Sequence, residues 1–158
     1  MSGNKTWTLL AAATVLVIGT ACSDSGSSTA SAAATQPSSA PVATDVGVNL
    51  NQWSVAPTKT SLPAGQVTFA VTNEGTIPHE FVVLKTDTEA ADVAIGKFEG
   101  EPDRINEDTS GNNVGETGDL EPGATKSLTL DLKPGHYVFL CNLPAHYQSG
   151  MHVDVTVS

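Results

Sequence analysis

The sequence is short of positive charge. Seven Lys and Arg stand against seventeen Asp and Glu, a formal net charge of -10. This excludes a nucleic-acid ligand, because neutralising phosphates takes a Lys/Arg patch and the sequence shows none. Cysteine is scarcer, with Cys22 and Cys141 alone. Two cysteines cannot build a disulfide framework, and a single bridge would tie a C-terminal loop to a Ser/Ala-rich tail; each has a better explanation. Long hydrophobic runs are missing too. The apolar run Leu9 to Ile18 has ten residues, too few to cross a bilayer comfortably as a helix. With 158 residues, the chain has room for one domain and appended segments.

What is present begins with an export pattern. Lys5 supplies a positive start, the apolar run follows, and Gly19-Thr20-Ala21 leads into Cys22. The stretch resembles the lipobox of bacterial lipoproteins, with Gly19 where Leu is commoner. The resemblance implies a signal peptide over residues 1–21 and a lipid on Cys22; the other reading is an ordinary secretory signal with Cys22 incidental. Residues 22–45 are dominated by Ser, Ala, Thr, Gly and Pro. They have little to bury and read as a flexible tether. An anchored protein would sit on the outer face of the cytoplasmic membrane or in the periplasm.

From Val46 the pattern changes to period two. Val46/Val48/Leu50, Val67/Phe69/Val71, Leu128/Leu130/Leu132 and Val153/Val155/Val157 alternate with mostly polar or small residues, as strands with one buried face do. Phe81 to Leu84 and Tyr137 to Leu140 are apolar on both parities and read as central strands. Pro63-Ala-Gly, Asn73-Glu-Gly, Pro122-Gly and Pro134-Gly punctuate them. The expected fold is all-β, a Greek-key β-sandwich over 46–158. Residues 86–119 break the pattern and read as a long irregular acidic insertion. Ala91, Ala94, Ile95 and Phe98 at spacings of three and four predict a short helix from about Thr88 to Phe98. The rest is either a solvated insertion or a docking face for a basic partner.

The chemistry concentrates in Cys141-Asn-Leu-Pro-Ala-His146-Tyr-Gln-Ser-Gly-Met151, with His79 far upstream in Ile-Pro-His-Glu-Phe. A thiolate, two imidazoles and a weak thioether are the donor set of a mononuclear blue-copper centre. Strand parity supports convergence. Met151 shares the parity of Val153, Val155 and Val157, while His152 has the other. Cys141 ends one strand, Met151 begins the next, and His79 precedes a third. His136 is five strand residues from Cys141, roughly 16 Å at about 3.3 Å per residue, and is set aside. Trp53 and Tyr137 read as packing residues.

On these residues the domain resembles the cupredoxins, the family of plastocyanin, azurin, rusticyanin and sulfocyanin. Asn73-Glu-Gly-Thr-Ile-Pro-His79-Glu-Phe-Val-Val resembles the upstream ligand strand, and Gly135-His-Tyr-Val-Phe-Leu-Cys141 the strand that ends in the metal cysteine. The Cys-x4-His-x4-Met spacing is nearest to rusticyanin and sulfocyanin. The resemblance implies one copper ion on His79, Cys141 and His146, with Met151 axial. It implies electron exit through His146, with Leu143, Pro144, Ala145, Ile77 and Pro78 as an apolar docking patch. It also gives Asn142 the role of a polar residue steadying the two ligand loops. Glu80 departs from the family, where an uncharged polar residue is usual; a buried carboxylate there is expected to lower the reduction potential.

The expected function is extracytoplasmic one-electron transfer by a monomer between redox proteins, such as a cytochrome or a membrane oxidoreductase. The alternative is copper storage or delivery, which would call for extra Met/His tracts; the chain has two Met, one of them in the leader. An enzyme is not expected, since four His cannot supply the further clusters of a multicopper oxidase and no ligand position stays open. The same donors also suit zinc.

Overall fold

The computed structural model describes residues 43–158. The expected signal peptide, the lipidation site Cys22 and nearly all of the expected tether lie outside the described residues. Eleven strands follow: β1 Thr44–Asn51, β2 Ser54–Pro57, β3 Ser61–Leu62, β4 Gly65–Asn73, β5 Val82–Lys85, β6 Ile95–Phe98, β7 Glu101–Ile105, β8 Asn112–Glu116, β9 Thr125–Leu132, β10 Gly135–Leu140 and β11 His152–Val157. The first strand begins two residues inside the segment read as tether.

The strands form two sheets and a hairpin. One sheet has the order β2-β1-β4-β9, the other β3-β11-β10-β5-β8, and β6 pairs with β7. β1 lies parallel to β4, and β3 parallel to β11. The chain therefore leaves the first sheet after β2, contributes β3 to the edge of the second, and returns as β4. Such crossings are what a Greek-key sandwich requires. One-residue slips would turn whole apolar sets outward, so the alternation fixes the register. Val46, Val48, Leu50, Val67, Phe69 and Val71 from one sheet meet Phe81, Val83, Tyr137, Phe139, Val155 and Val157 from the other in one core. Each such side chain contributes roughly 1.5–3 kcal/mol when fully buried. Phe69, Phe81 and Phe139 pack at centroid distances of 5.2–5.4 Å.

The insertion is irregular only between three short strands, and it carries no helix. Its residues form β6, β7 and β8, and β8 extends the second sheet by pairing with β5. Residues 88–94 turn on bonds such as Asp92 N–H to Glu89 O (2.9 Å) before the chain enters β6. The stripe that suggested a helix is not the buried face: Ala91, Ala94 and Ile95 are exposed, and Ala90 and Val93 are buried instead. Those two join Ile105 and Tyr147 in a second core against Val82, Leu84, Val138 and Leu140. This explains why β5 and β10 are apolar on both parities: the insertion covers their outer face.

The register also sets the functional pole. Leu140 lies opposite both Val82 and His152. Cys141 after β10, Met151 before β11 and the segment preceding β5 thus reach the same end of the sandwich.

Candidate metal centre

Cys141 to Met151 folds as a tight coil closed on itself. His146 N–H bonds to Leu143 O (3.0 Å), Gly150 N–H to Tyr147 O (2.9 Å) and Met151 N–H to His146 O (3.2 Å). Cys141 N–H bonds to Met151 O (3.0 Å), so the two ends of the loop meet. Tyr147 is buried and its hydroxyl donates to Ala90 O, pinning the coil to the insertion. On the other side His79 forms an isolated bridge with Leu120, with N–H to O distances of 3.1 and 2.7 Å. Asn73 at the end of β4 shapes the approach. Its Nδ2 donates to Ile77 O and Leu120 O (both 2.8 Å), and its Oδ1 accepts from Gly75 N–H (2.9 Å).

These elements bring three donor atoms together. His79 Nδ1 and His146 Nδ1 are 3.2 Å apart, Cys141 Sγ is 3.3 Å from His146 Nδ1, and it is 3.9 Å from His79 Nδ1. Atoms so spaced can all reach one ion at metal–nitrogen and metal–sulfur lengths of about 2.0–2.3 Å. Both rings turn Nδ1 inward. The other nitrogen of His79, Nε2, is buried without a hydrogen-bond partner. It faces Gly75, where an added Cβ would stand 2.9 Å from it and 2.5 Å from Gln52 Oε1. Met151 is fully buried at the end of the loop. A thiol and two imidazoles with a thioether carried on the same loop fit a single soft or borderline metal ion.

Burial sets the protonation of these groups. It lowers His79 to about 4, helped by the neighbouring His146, and lowers His146 as well. It pushes the Cys141 thiol up to about 12, against backbone hydrogen bonds, including one from Glu80 N–H at 3.4 Å, that favour the thiolate. At neutral pH the metal-free site holds two neutral rings and a thiol.

Two residues near the ligands behave differently from expectation. Asn142 does not brace the two ligand loops against each other. Its Oδ1 accepts from Ile105 N–H (2.7 Å), and its Nδ2 donates to Ile105 O (3.0 Å) and Glu107 Oε1 (2.6 Å), so it binds the insertion; Asn73 holds the His79 segment. Glu80 is buried beside Arg104, with Oε1 to Nη2 at 3.4 Å. Burial raises its carboxyl to about 7 despite the guanidinium. The lowered potential expected from a lone carboxylate is thus opposed by a paired cation.

Trp53 is the residue that the sequence reading missed. It is 46 % exposed, not a packing residue, and its ring meets His146 edge-on at 5.1 Å and 75°. It also stands 6.5 Å from the His79 ring. A lone aromatic in a hairpin turn carries no periodic signal. Of the residues expected to form the docking patch, Leu143 and Ile77 are half-buried, and Pro78, Pro144 and Ala145 are exposed. Tyr137 does pack in the core, its hydroxyl donating to Lys133 O (2.8 Å). His136 lies elsewhere, between Thr86 O and Asp154, and His152 stacks on Tyr147.

The sequence model of the family described as the Sulfocyanin (SoxE) domain matches residues 24–158. Among solved structures, a dithionite-reduced auracyanin from Roseiflexus castenholzii is 28% identical, with TM-score 0.50, covering 73% of this chain and 96% of its own. Auracyanin B is 26% identical, with TM-score 0.52, over 75% and 91%. Auracyanin A from Chloroflexus aurantiacus is 22% identical, with TM-score 0.54, over 73% and 99%, a likeness of fold. No curated protein matches the chain.

Proposed function

The chain belongs to the Sulfocyanin (SoxE) domain family, and on that premise we propose that it is a cupredoxin that holds one copper ion and passes single electrons between protein partners. The observation that carries this reading is the convergence of His79 Nδ1, His146 Nδ1 and Cys141 Sγ within 3.9 Å of one another at one pole of the sandwich. His79, Cys141 and His146 would hold the ion, with the Met151 thioether as the weak fourth donor. Bound copper supplies a Cu(I)/Cu(II) couple, and a mixed soft and borderline donor set suits both states. That a related auracyanin is known in a dithionite-reduced form agrees with a redox role.

The protein's own contribution is position and exclusion. His79, Cys141 and Met151 are fully buried, whereas His146 is only half so. Of these four, His146 is the one that reaches the surface, and it is the natural edge for an electron to enter or leave. Trp53, which meets its ring, and Leu143, Pro144, Ala145, Ile77 and Pro78 would rim it with apolar surface. Small apolar rims suit brief encounters, because limited interfaces dissociate quickly. All four donors are spoken for, so this is a carrier and not an enzyme. Its place is outside the cytoplasm, exported by residues 1–21 and held by a lipid on Cys22 through the segment 22–45.

The test is to add Cu(II) to the purified protein and record visible absorption and electron spin resonance. An intense thiolate-to-copper band with a narrow hyperfine splitting, lost in Cys141→Ser, is expected. A colourless complex would overturn the electron-transfer reading in favour of copper or zinc handling.

A further inference from the structure

We infer that β7, a strand of the acidic insertion, is a clasp that holds the two metal-binding segments in position before any metal arrives. Three consecutive residues do this. Asp103 O accepts from Ala145 N–H (3.0 Å), and Asp103 Oδ1 faces Gln148 Nε2 at 3.4 Å. Arg104 Nη2 reaches Glu80 Oε1 (3.4 Å). Ile105 exchanges two bonds with the Asn142 side chain, at 2.7 and 3.0 Å. Each partner adjoins a donor: Ala145 precedes His146, Glu80 follows His79, and Asn142 follows Cys141. Two residues further on, Glu107 grips Asn142 again.

The clasp is itself anchored. Ile105 is buried in the outer core, and Arg104, 9 % exposed, lies over the Phe98 ring at 5.5 Å and beside Glu99 and Glu101. The junction with the His146 loop is made by two non-glycine residues in the left-handed region, Asp103 (φ 59) and Ala145 (φ 66). Such conformations persist only where the surroundings over-determine them. A solvated insertion would not bury an arginine. Side chains that orient metal ligands tune affinity and geometry; here the orientation is imposed on the neighbour of every strong donor by one strand. Donors fixed in this way move little when the charge of the ion changes.

Two experiments test the clasp, and only the second rests on the copper reading. First, amide hydrogen exchange is measured on the metal-free protein. The Ile105 and Ala145 amides should exchange as slowly as those of β5 and β10. Exchange at the rate of the exposed Glu99–Gly100 turn would overturn the clasp, whatever metal the site takes. Second, the double variant Glu80→Gln/Arg104→Gln removes the tie without leaving a lone buried charge. Copper release to a chelator should rise on the order of tenfold, with an altered copper spectrum, while Lys97→Gln, at an exposed position of the neighbouring strand β6, stays native. Native release and spectrum in the double variant would overturn the inference. If the parent protein takes up no copper with a thiolate band, it is the proposed function that fails, and the exchange result still decides the clasp.

Discussion

Trp53 presents its ring to His146 edge-on, with centroids 5.1 Å apart at 75°. The contact is held from both sides. The Gln52 side chain exchanges hydrogen bonds with Thr76 (2.7 and 3.1 Å), tying the β1–β2 turn to the His79 segment. Across the site, the Trp53 carbonyl lies against Gly150, where a Cβ would come within 3.3 Å. Edge-to-face pairs contribute about 0.5–1.5 kcal/mol beyond burial. Trp53→Ala should therefore weaken copper binding by up to about tenfold, and Trp53→Phe should restore most of it, as read by competition titration. Native affinity in the alanine variant would show that the indole contributes nothing.

The Glu80–Arg104 pair makes stability depend on pH in a direction the geometry fixes. Glu80 is raised from the ordinary 4.5 to about 7, mainly by burial. The folded state binds the extra proton between those values, so this contribution is complete below 4.5 and is lost as pH rises through about 7. In Arg104→Met the carboxylate loses its partner. The variant should be destabilised by roughly 3–5 kcal/mol at pH 8 and distinctly less at pH 5, in denaturant titrations of the metal-free protein. An equal loss at both values would contradict a buried pair.

Protons should leave when metal enters. The thiol, pushed up to about 12, is protonated at pH 7, whereas both imidazoles are lowered and already neutral. Copper(II) uptake in weak buffer should thus release one proton per ion from Cys141, measured by pH-stat. Release of two or more would mean that a histidine is charged in the metal-free site. For His79 alone, with its pKa lowered to about 4, folding stability should rise with pH from about 4 to 6.5 and be level above.

Gly75 is needed for space. An alanine Cβ would lie 2.5 Å from Gln52 Oε1, 2.9 Å from His79 Nε2 and 3.1 Å from Asn73 Oδ1. Gly75→Ala should destabilise the fold by about 1–3 kcal/mol and shift the copper spectrum, because the displaced ring carries a donor. A shift in melting temperature with an unchanged spectrum would place the strain on Gln52 alone.

The sandwich was legible because alternation along β1, β4, β9 and β11 is a direct image of one buried face, and the Cys-x4-His-x4-Met loop names its own chemistry. The insertion was misread for a physical reason. Its acids dominate composition, yet the residue that matters is one of its two bases, Arg104, whose burial only tertiary pairing with Glu80 reveals. Periodicity likewise chose Ala91, Ala94 and Ile95, while the fold buries Ala90 and Val93. Asn142 was singled out but assigned the wrong partner, since nothing local to it points to Ile105, thirty-seven positions away. Trp53 was missed because it reaches His146 only through the hairpin.

The measurement that bears most directly on the central claim is a spectroelectrochemical titration of the copper-loaded protein. A thiolate-to-copper band that bleaches and returns reversibly as a one-electron step, with one copper per chain, is the predicted result. A band that is absent, or that disappears irreversibly with loss of the metal on reduction, would contradict a carrier built on His79, Cys141, His146 and Met151.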